Sequence, residues 1–456
     1  MTFRRSIAAV LAAASLAAAG CGQGGRAGGQ AAADGAAKEP PFRIAVVDPS
    51  GGASSGGPGA TAAGGASAGA SAAAGAADSP LALLEDPVYE RHSLPDGPGP
   101  RSERLAGLLS EAASNPRLRA LVVCPAIPGT AEAFRKVRAA RPDLLLLAGE
   151  SEEEPLLIQS AADLVAGADS AASGYLAAET ARRLGASFLV LLAEPGEPSP
   201  ARRLKRAAAA AACGELGLGF RLVELPAKGD RVQAVEAAVA EAAAGGPTGG
   251  LAGGPASAPG GDATGGLAGA AGAAGSSAGA RNGGPGSGGK PTAFALESAD
   301  LAETLLRALA SKGGVFVGGE ASAPYRGFPA AFPPARPALG RSTVLNSVDA
   351  AVVGAGLAGR FSTWIHPSRE SFGAGLALLA RGAVEGSARL DSLDDLVAAL
   401  GRAAPGSYWR AAYYPDPATG IASRNQVLAY PDSYVFGKGY LSLTKVEIPE
   451  RYRSLE

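Results

Sequence analysis

Aromatic residues are scarce: 12 Phe, 10 Tyr and 2 Trp in 456 residues. Histidine is scarcer still, with only His92 and His366, which excludes a three-His metal centre, and no H-E-x-x-H pair occurs. Three cysteines are too few for a disulfide scaffold. Neither sign of charge is in excess. With 41 basic and 42 acidic residues the net charge is −1, so no global field draws the chain to nucleic acid, and no nucleic-acid partner is expected. The apolar run Ile7–Ala19 falls short of the ~20 residues of a membrane span, and no other segment could cross a bilayer.

Glycine is abundant but unevenly spread. The stretches Gly22–Pro41, Ser50–Pro80 and Gly245–Pro291 hold 34 of the 66 glycines, mixed with Ala and Ser. Such low-complexity sequence buries too little apolar surface to offset the entropy of ordering it, so it reads as linker. No three-residue period is kept, which excludes collagen. Setting these stretches and the first 21 residues aside leaves 337 residues, enough for one large domain or two lobes with ample core.

Arg4-Arg5, the short apolar run and Ala18-Ala19-Gly20-Cys21 describe a secretory signal over residues 1–21. The last four residues resemble the bacterial lipoprotein box, with Ala18 where that pattern prefers Leu. The resemblance implies that Cys21 carries lipid and anchors the protein to a membrane of the cell envelope, facing the periplasm or the exterior. Residues 22–41 are then a tether. Cys124 ends an apparent strand and Cys213 sits in an Ala-rich helix pattern, so two buried free thiols are expected, although an oxidising compartment would permit a disulfide.

The body alternates short apolar runs with amphipathic segments. Strands are expected at Arg43–Asp48, Val88–Leu94, Leu118–Cys124, Leu144–Ala148, Ala162–Ala168, Phe188–Ala193, Phe220–Leu225, Thr292–Leu296 and Val315–Val317. Helices are expected at Ser102–Ser114, Thr130–Arg141, Ser173–Leu184, Pro200–Leu216, Arg231–Ala244 and Leu301–Lys312. Continuous Leu/Val strands between helices argue for parallel sheets covered on both faces. So many units would strain one sheet, which points to an α/β fold of two doubly wound, Rossmann-like lobes with a cleft between them. In such sheets ligands sit outside the carboxyl ends of the strands.

Several strings are distinctive: Asn115–Phe134 with its Pro-Gly-Thr-Ala-Glu-Ala-Phe ending, Arg141–Glu150, Ala161–Val165, and Asp432–Tyr440 with Phe-Gly-Lys-Gly-Tyr. Together they resemble a bacterial lipoprotein family of unknown function with a type I periplasmic-binding-protein-like fold. The resemblance spans Phe42–Asp48, about Val88–Ala243 and Thr292–Tyr452, and it implies neither a ligand nor a reaction. The expected division is an N-terminal lobe of residues 42–168 plus about 362–400, interrupted at 50–80, and a C-terminal lobe of 169–361 plus about 401–456, interrupted at 245–291. The 50–80 stretch stands where this fold ordinarily has a helix walling the cleft, whereas 245–291 reads as an extended surface loop.

Val352–Gly359 satisfies G-x-G-x-x-G, but the motif holds a pyrophosphate only between a strand and a helix. Here Asn346 reads as a helix start before it, and Pro367 breaks the sequence after it, so no nucleotide or other cofactor is expected. The stronger candidates follow strand ends. Pro128-Gly129-Thr130 precedes a helix whose free amides suit an anion or a hydroxyl, though Thr130 fits an ordinary N-cap equally well. Asp48, Glu150, Asp169 and Glu194 end consecutive strand-like runs, and Glu297-Ser298 holds the equivalent place after Thr292–Leu296; each suits either a cleft or a solvated loop. Trp364 suits ring stacking or core packing. The run Glu150–Glu154 could attract a cation, but such runs usually form a solvated surface. In the aromatic-rich end, Tyr408-Trp409 and Tyr413-Tyr414 form either a stacking platform or the core of a small hairpin, with Gln426–Tyr430 and Tyr434–Phe436 alternating accordingly.

The expected function is therefore a non-enzymatic, lipid-anchored solute-binding or sensory protein. A small polar ligand would be held between the lobes, and the partner would be an ABC-type permease or a membrane sensor. An envelope structural or interaction lipoprotein with a degenerate cleft is the alternative.

Overall fold

The computed structural model describes residues 39–49, 80–94, 99–244, 290–319, 327–333, 341–416 and 419–455. Cys21, the expected signal and tether, and nearly all of both low-complexity insertions lie outside the described residues. All that follows concerns the compact unit that begins at Pro40.

The chain opens with β1 (Arg43–Asp48) and, after a 3-10 turn at Pro80–Glu85, β2 (Tyr89–Ser93). Then come α1 (Arg101–Ala113), β3 (Leu118–Val123), α2 (Thr130–Ala140), β4 (Leu145–Gly149), α3 (Pro155–Gln159) and β5 (Leu164–Ala168). A second series follows: α4 (Ser170–Arg183), β6 (Phe188–Ala193), α5 (Pro200–Glu215), β7 (Gly219–Glu224) and α6 (Arg231–Ala243). The described chain stops after Ala244 and returns at Lys290, leading into β8 (Thr292–Leu296), α7 (Ala302–Lys312), β9 (Val315–Phe316), α8 (Phe328–Ala331) and α9 (Arg341–Gly354). The last elements are β10 (Ser362–Thr363), α10 (Ser368–Glu385), α11 (Leu393–Ala403), β11 (Trp409–Pro415), β12 (Ala422–Pro431), β13 (Tyr434–Val435) and β14 (Gly439–Tyr440).

These elements build two lobes. The first sheet has seven strands in the order β11-β12-β5-β4-β3-β1-β2, parallel except for β11. The second has four parallel strands, β7-β6-β8-β9, and is continued through a bridge between Phe316 and Phe361 by the three-stranded β10-β13-β14. Successive side chains of a strand point to opposite faces, so a strand covered on both sides must be apolar throughout. In β1, Ile44 and Val46 pack with Phe372, Leu376 and Leu400 of α10 and α11, while Ala45 and Val47 pack with Leu105, Leu109 and Phe134 of α1 and α2. The second sheet repeats this: Val190 and Leu192 face one core, Leu189 and Leu191 the other. Cys124 and Cys213 are buried thiols that are not joined in a disulfide; burial pushes the Cys213 thiol up to about 12.

The chain passes between the lobes at three places. It leaves β5 at Asp169 to start α4, leaves β10 to start α10 at Ser368, and leaves β12 at Asp432-Ser433 to start β13. β5 and β12 run parallel, so both depart from the carboxyl edge of the first sheet. α4 runs back before β6 and therefore begins at the carboxyl edge of the second. The start of α10 touches the end of β3, where Cys124 Sγ meets the Arg369 carbonyl at 3.4 Å. The carboxyl edges of both sheets thus converge on the crossovers.

Three expectations need correction. Residues 401–456 do not all belong to the second lobe: β11 and β12 complete the first sheet, because β12 lies parallel against β5 from Gln426–Val165 to Ala429–Ala168. Gln426–Tyr430 and Tyr434–Phe436 are not hairpin partners either. The hairpin is β11–β12, and β13 pairs with β10 and β14. The short helix α3 was not anticipated; Glu154 caps it by accepting from the Leu157 amide at 2.9 Å.

Candidate functional site

The rim of the first sheet is made by the loops after β3 and β4. They are tied together by the Ala126 amide on the Gly149 carbonyl at 2.8 Å and the Glu152 amide on the Ala126 carbonyl at 2.9 Å. Gly129 takes φ +99, a conformation that favours glycine, and so turns the chain into α2. The amides that the sequence offers to an anion already hold one. Glu153 accepts from the Gly129 amide at 2.7 Å and from the Ala131 amide at 2.8 Å. A carboxylate at a helix N-terminus satisfies orphan donors and the helix dipole together. Thr130 is not the cap, since its buried hydroxyl donates to the Ile127 carbonyl at 2.6 Å. Pro128 is exposed, while Asp48 and Glu150 are half-buried at the ends of β1 and β4. Glu150 has φ +47, an unusual backbone for a non-glycine residue, and its amide bonds the Ala166 carbonyl.

The rim of the second sheet carries guanidinium–carboxylate pairs. Glu297, its side chain 2% exposed, accepts from Arg206 Nε at 2.7 Å and Nη2 at 2.8 Å, and from the Glu194 amide at 3.0 Å. Burial alone would raise its carboxyl, but these bonds hold it below the usual glutamate range. Glu194 in turn pairs with Arg231 at 2.5 Å. Ser298 accepts from the Asp300 amide at 3.4 Å and opens the turn before α7.

The crossovers are lined with buried polar groups. Asp169 is fully buried; it caps α4 through the Ala172 amide at 2.9 Å and pairs with Arg453 at 2.9 Å. Asp432 accepts from the Ser433 and Leu443 amides, each at 2.8 Å, and its burial raises its carboxyl above the usual aspartate value. Trp364 is buried in the middle crossover. His366 Nε2 lies 3.0 Å from the Pro405 carbonyl in the same stretch.

Of the residues singled out from sequence, the loop geometry brings Gly129, Thr130 and Glu150 together on the first rim, and one hydrogen bond joins Glu194 to Glu297 on the second. Asp169 and Trp364 sit in crossovers. Four partners were missed. Glu153 was hidden in a run read as solvated surface, and Arg206, Arg231 and Arg453 come from distant elements with no local signal. The G-x-G-x-x-G string follows helix α9 and precedes β10, the reverse of a dinucleotide site. The Phe-Gly-Lys-Gly-Tyr string is the β13–β14 turn, where Gly437 has φ +75 and its amide donates to Asp349 at 2.8 Å.

Residues 90–239 match the model of a family described as "Protein of unknown function (DUF3798)", and a second family model matches residues 373–455. Two uncharacterized proteins of Treponema pallidum (strain Nichols) are each 39% identical, over 127 and 121 residues, or 28% and 26% of this chain. The chain spans 58% and 56% of their lengths, little more than half of the curated relatives it matches. Among solved structures, a candidate transcriptional regulator from Clostridium difficile 630 superposes with a TM-score of 0.61 at 11% identity, over 87% of this chain and 99% of that one. A periplasmic solute-binding protein from Actinobacillus succinogenes 130z with bound D-allose gives a TM-score of 0.41 at 11% identity, over 76% and 93%, which carries no weight by itself. The chain therefore matches, through residues 90–239, a family of unknown function, and it carries that match on a two-lobed α/β fold of the type I periplasmic-binding-protein kind.

Proposed function

We propose that this chain is a non-enzymatic ligand-binding protein of the cell envelope, anchored through lipid on Cys21, that holds a small polar ligand between its lobes. One observation carries the reading: the carboxyl edges of two parallel sheets converge on three crossovers, where folds of this class place ligands. Asp48 and Glu150 at the ends of β1 and β4 and Ser298 after β8 stand at these carboxyl edges and would contribute to the site, and closure about the crossovers would bury the ligand. The natural partner is an ABC-type permease or a membrane sensor. A thermal-shift screen of the purified chain against sugars, amino acids and other polar metabolites tests this. A saturable rise in melting temperature supports it, because a ligand that binds only the folded state stabilises it by mass action. No rise with any compound defeats it.

A second reading has its own observation. Glu153, Glu194, Glu297 and Asp169 are all engaged internally, as in an envelope interaction protein whose cleft no longer binds. A panel without effect, combined with Cys21-dependent partition of the protein into detergent, would favour it.

A further inference from the structure

Residues 441–455 touch both lobes. Within the second lobe, the Leu441 carbonyl accepts from Arg183 Nη1 of α4 at 2.5 Å, and Arg451 pairs with Glu215 of α5 at 2.8 Å. Tyr452 is 1% exposed, with its ring 5.0 Å from that of Tyr175 in a T-shaped contact. Toward the first lobe, Arg410 of β11 donates to the Thr444 carbonyl at 3.1 Å and the Val446 carbonyl at 2.8 Å, and Tyr430 of β12 donates to Val446 at 3.4 Å. Arg453 then reaches the first crossover and closes on Asp169, whose side chain is 1% exposed, while the Leu443 amide is held by Asp432 of the third.

We propose that residues 441–455 are a strap that fixes the angle between the lobes. Two properties make it a restraint and not a mere covering. Its hydrogen bonds to the first lobe are accepted by its backbone carbonyls, with Leu443 packed in the same cluster as Tyr430, and so they hold the strap at a defined register on β11 and β12. Its contacts with the second lobe are the Leu441 carbonyl on Arg183, the Arg451–Glu215 pair and the buried Tyr452 ring, so that end is anchored chiefly by packing. Rotation about the crossovers would have to stretch the segment between Val446 and Tyr452 or release Arg410. This strap acts whether or not a ligand binds in the cleft.

The test is the distribution of distances between spin labels at Glu111 on α1 and Lys312 on α7, measured in the full chain with Cys21→Ser. Both label sites are exposed, and the remaining cysteines are buried. Arg410→Met and Arg453→Met should each broaden the distribution and shift its mean outward. Arg221→Ala, which breaks the Arg221–Glu241 pair between β7 and α6 at 2.7 Å, inside the second lobe and away from the strap, should leave it unchanged. If Arg453→Met fails to fold, Arg410→Met alone decides, since Tyr452 and the second-lobe core are untouched in it. A distribution in folded Arg410→Met that matches the parent overturns the strap, as does an equal broadening in Arg221→Ala.

Discussion

The two rims facing the crossovers neutralise themselves by different means. On the first, a loop carboxylate, Glu153, is laid across the amides at the start of α2. On the second, Glu297 meets the guanidinium of Arg206 in a pair almost shut off from solvent. An amide donor costs little to leave to water when the loop is half-exposed. A buried guanidinium that loses Glu297 is left with the Glu194 carbonyl at 3.2 Å and an exposed carboxylate, Glu224, at 3.9 Å, a weak exchange in a poor dielectric. Two rims with the same position in the fold should therefore respond very differently to the loss of one acid.

The largest effect belongs to the second rim. Glu297→Ala should lower the unfolding free energy in urea by about 3–5 kcal/mol, and a loss under 1 kcal/mol would erase the contrast. Next comes the helix pair behind that rim, where Gly174 of α4 lets α5 approach. A Cβ there would collide with the Lys205 carbonyl and stand 2.8 Å from Ala208 Cβ. Gly174→Val should cost about 3 kcal/mol by the same measurement. On the first rim, Glu153→Ala should cost only about 1–2 kcal/mol, and a value matching that of Glu297→Ala would make the rims equivalent.

Acid provides a finer separation. The native Glu297 carboxyl is held below its ordinary value of 4.5, so its contribution is complete above that pH and is lost as pH falls through the depressed native value. Glu297→Gln should flatten the decline of stability between about pH 5 and 3, measured by urea midpoints across that range. Smallest of all, Lys136→Ala should leave the urea midpoint unchanged, because its pair with Glu132 is exposed on both sides.

Much of the fold was readable because parallel strands buried on both faces leave an unmistakable mark: Ala120-Leu-Val-Val and Phe188-Leu-Val-Leu-Leu contain no polar residue to relieve the pattern. The partner of β12 was not readable. Its match to β5 spans some 260 residues of sequence, with small side chains such as Ala429 and Ala168 in the paired stretch and with Asn425 and Ser423 bonding back to Gln159 and Ala162, contacts that no local spacing signals. The rims divided in the same way. Strand ends showed where carboxylates would stand, yet Glu153, Arg206 and Arg453 act through tertiary contacts that no local spacing encodes. Asp169 illustrates the limit: an acid after a strand and a helix from Ser173 were legible, while its cap role needed that helix to begin at Ser170, and its pair with Arg453 comes from a tail far along the chain.

The gap between Ala244 and Lys290 joins the end of α6 to the start of β8. Both ends therefore open on the amino edge of the second sheet, away from the crossovers. That makes this junction the place to graft a fluorescent domain or an affinity handle, so that the protein can be followed or captured from the envelope with both rims and the strap left as they are.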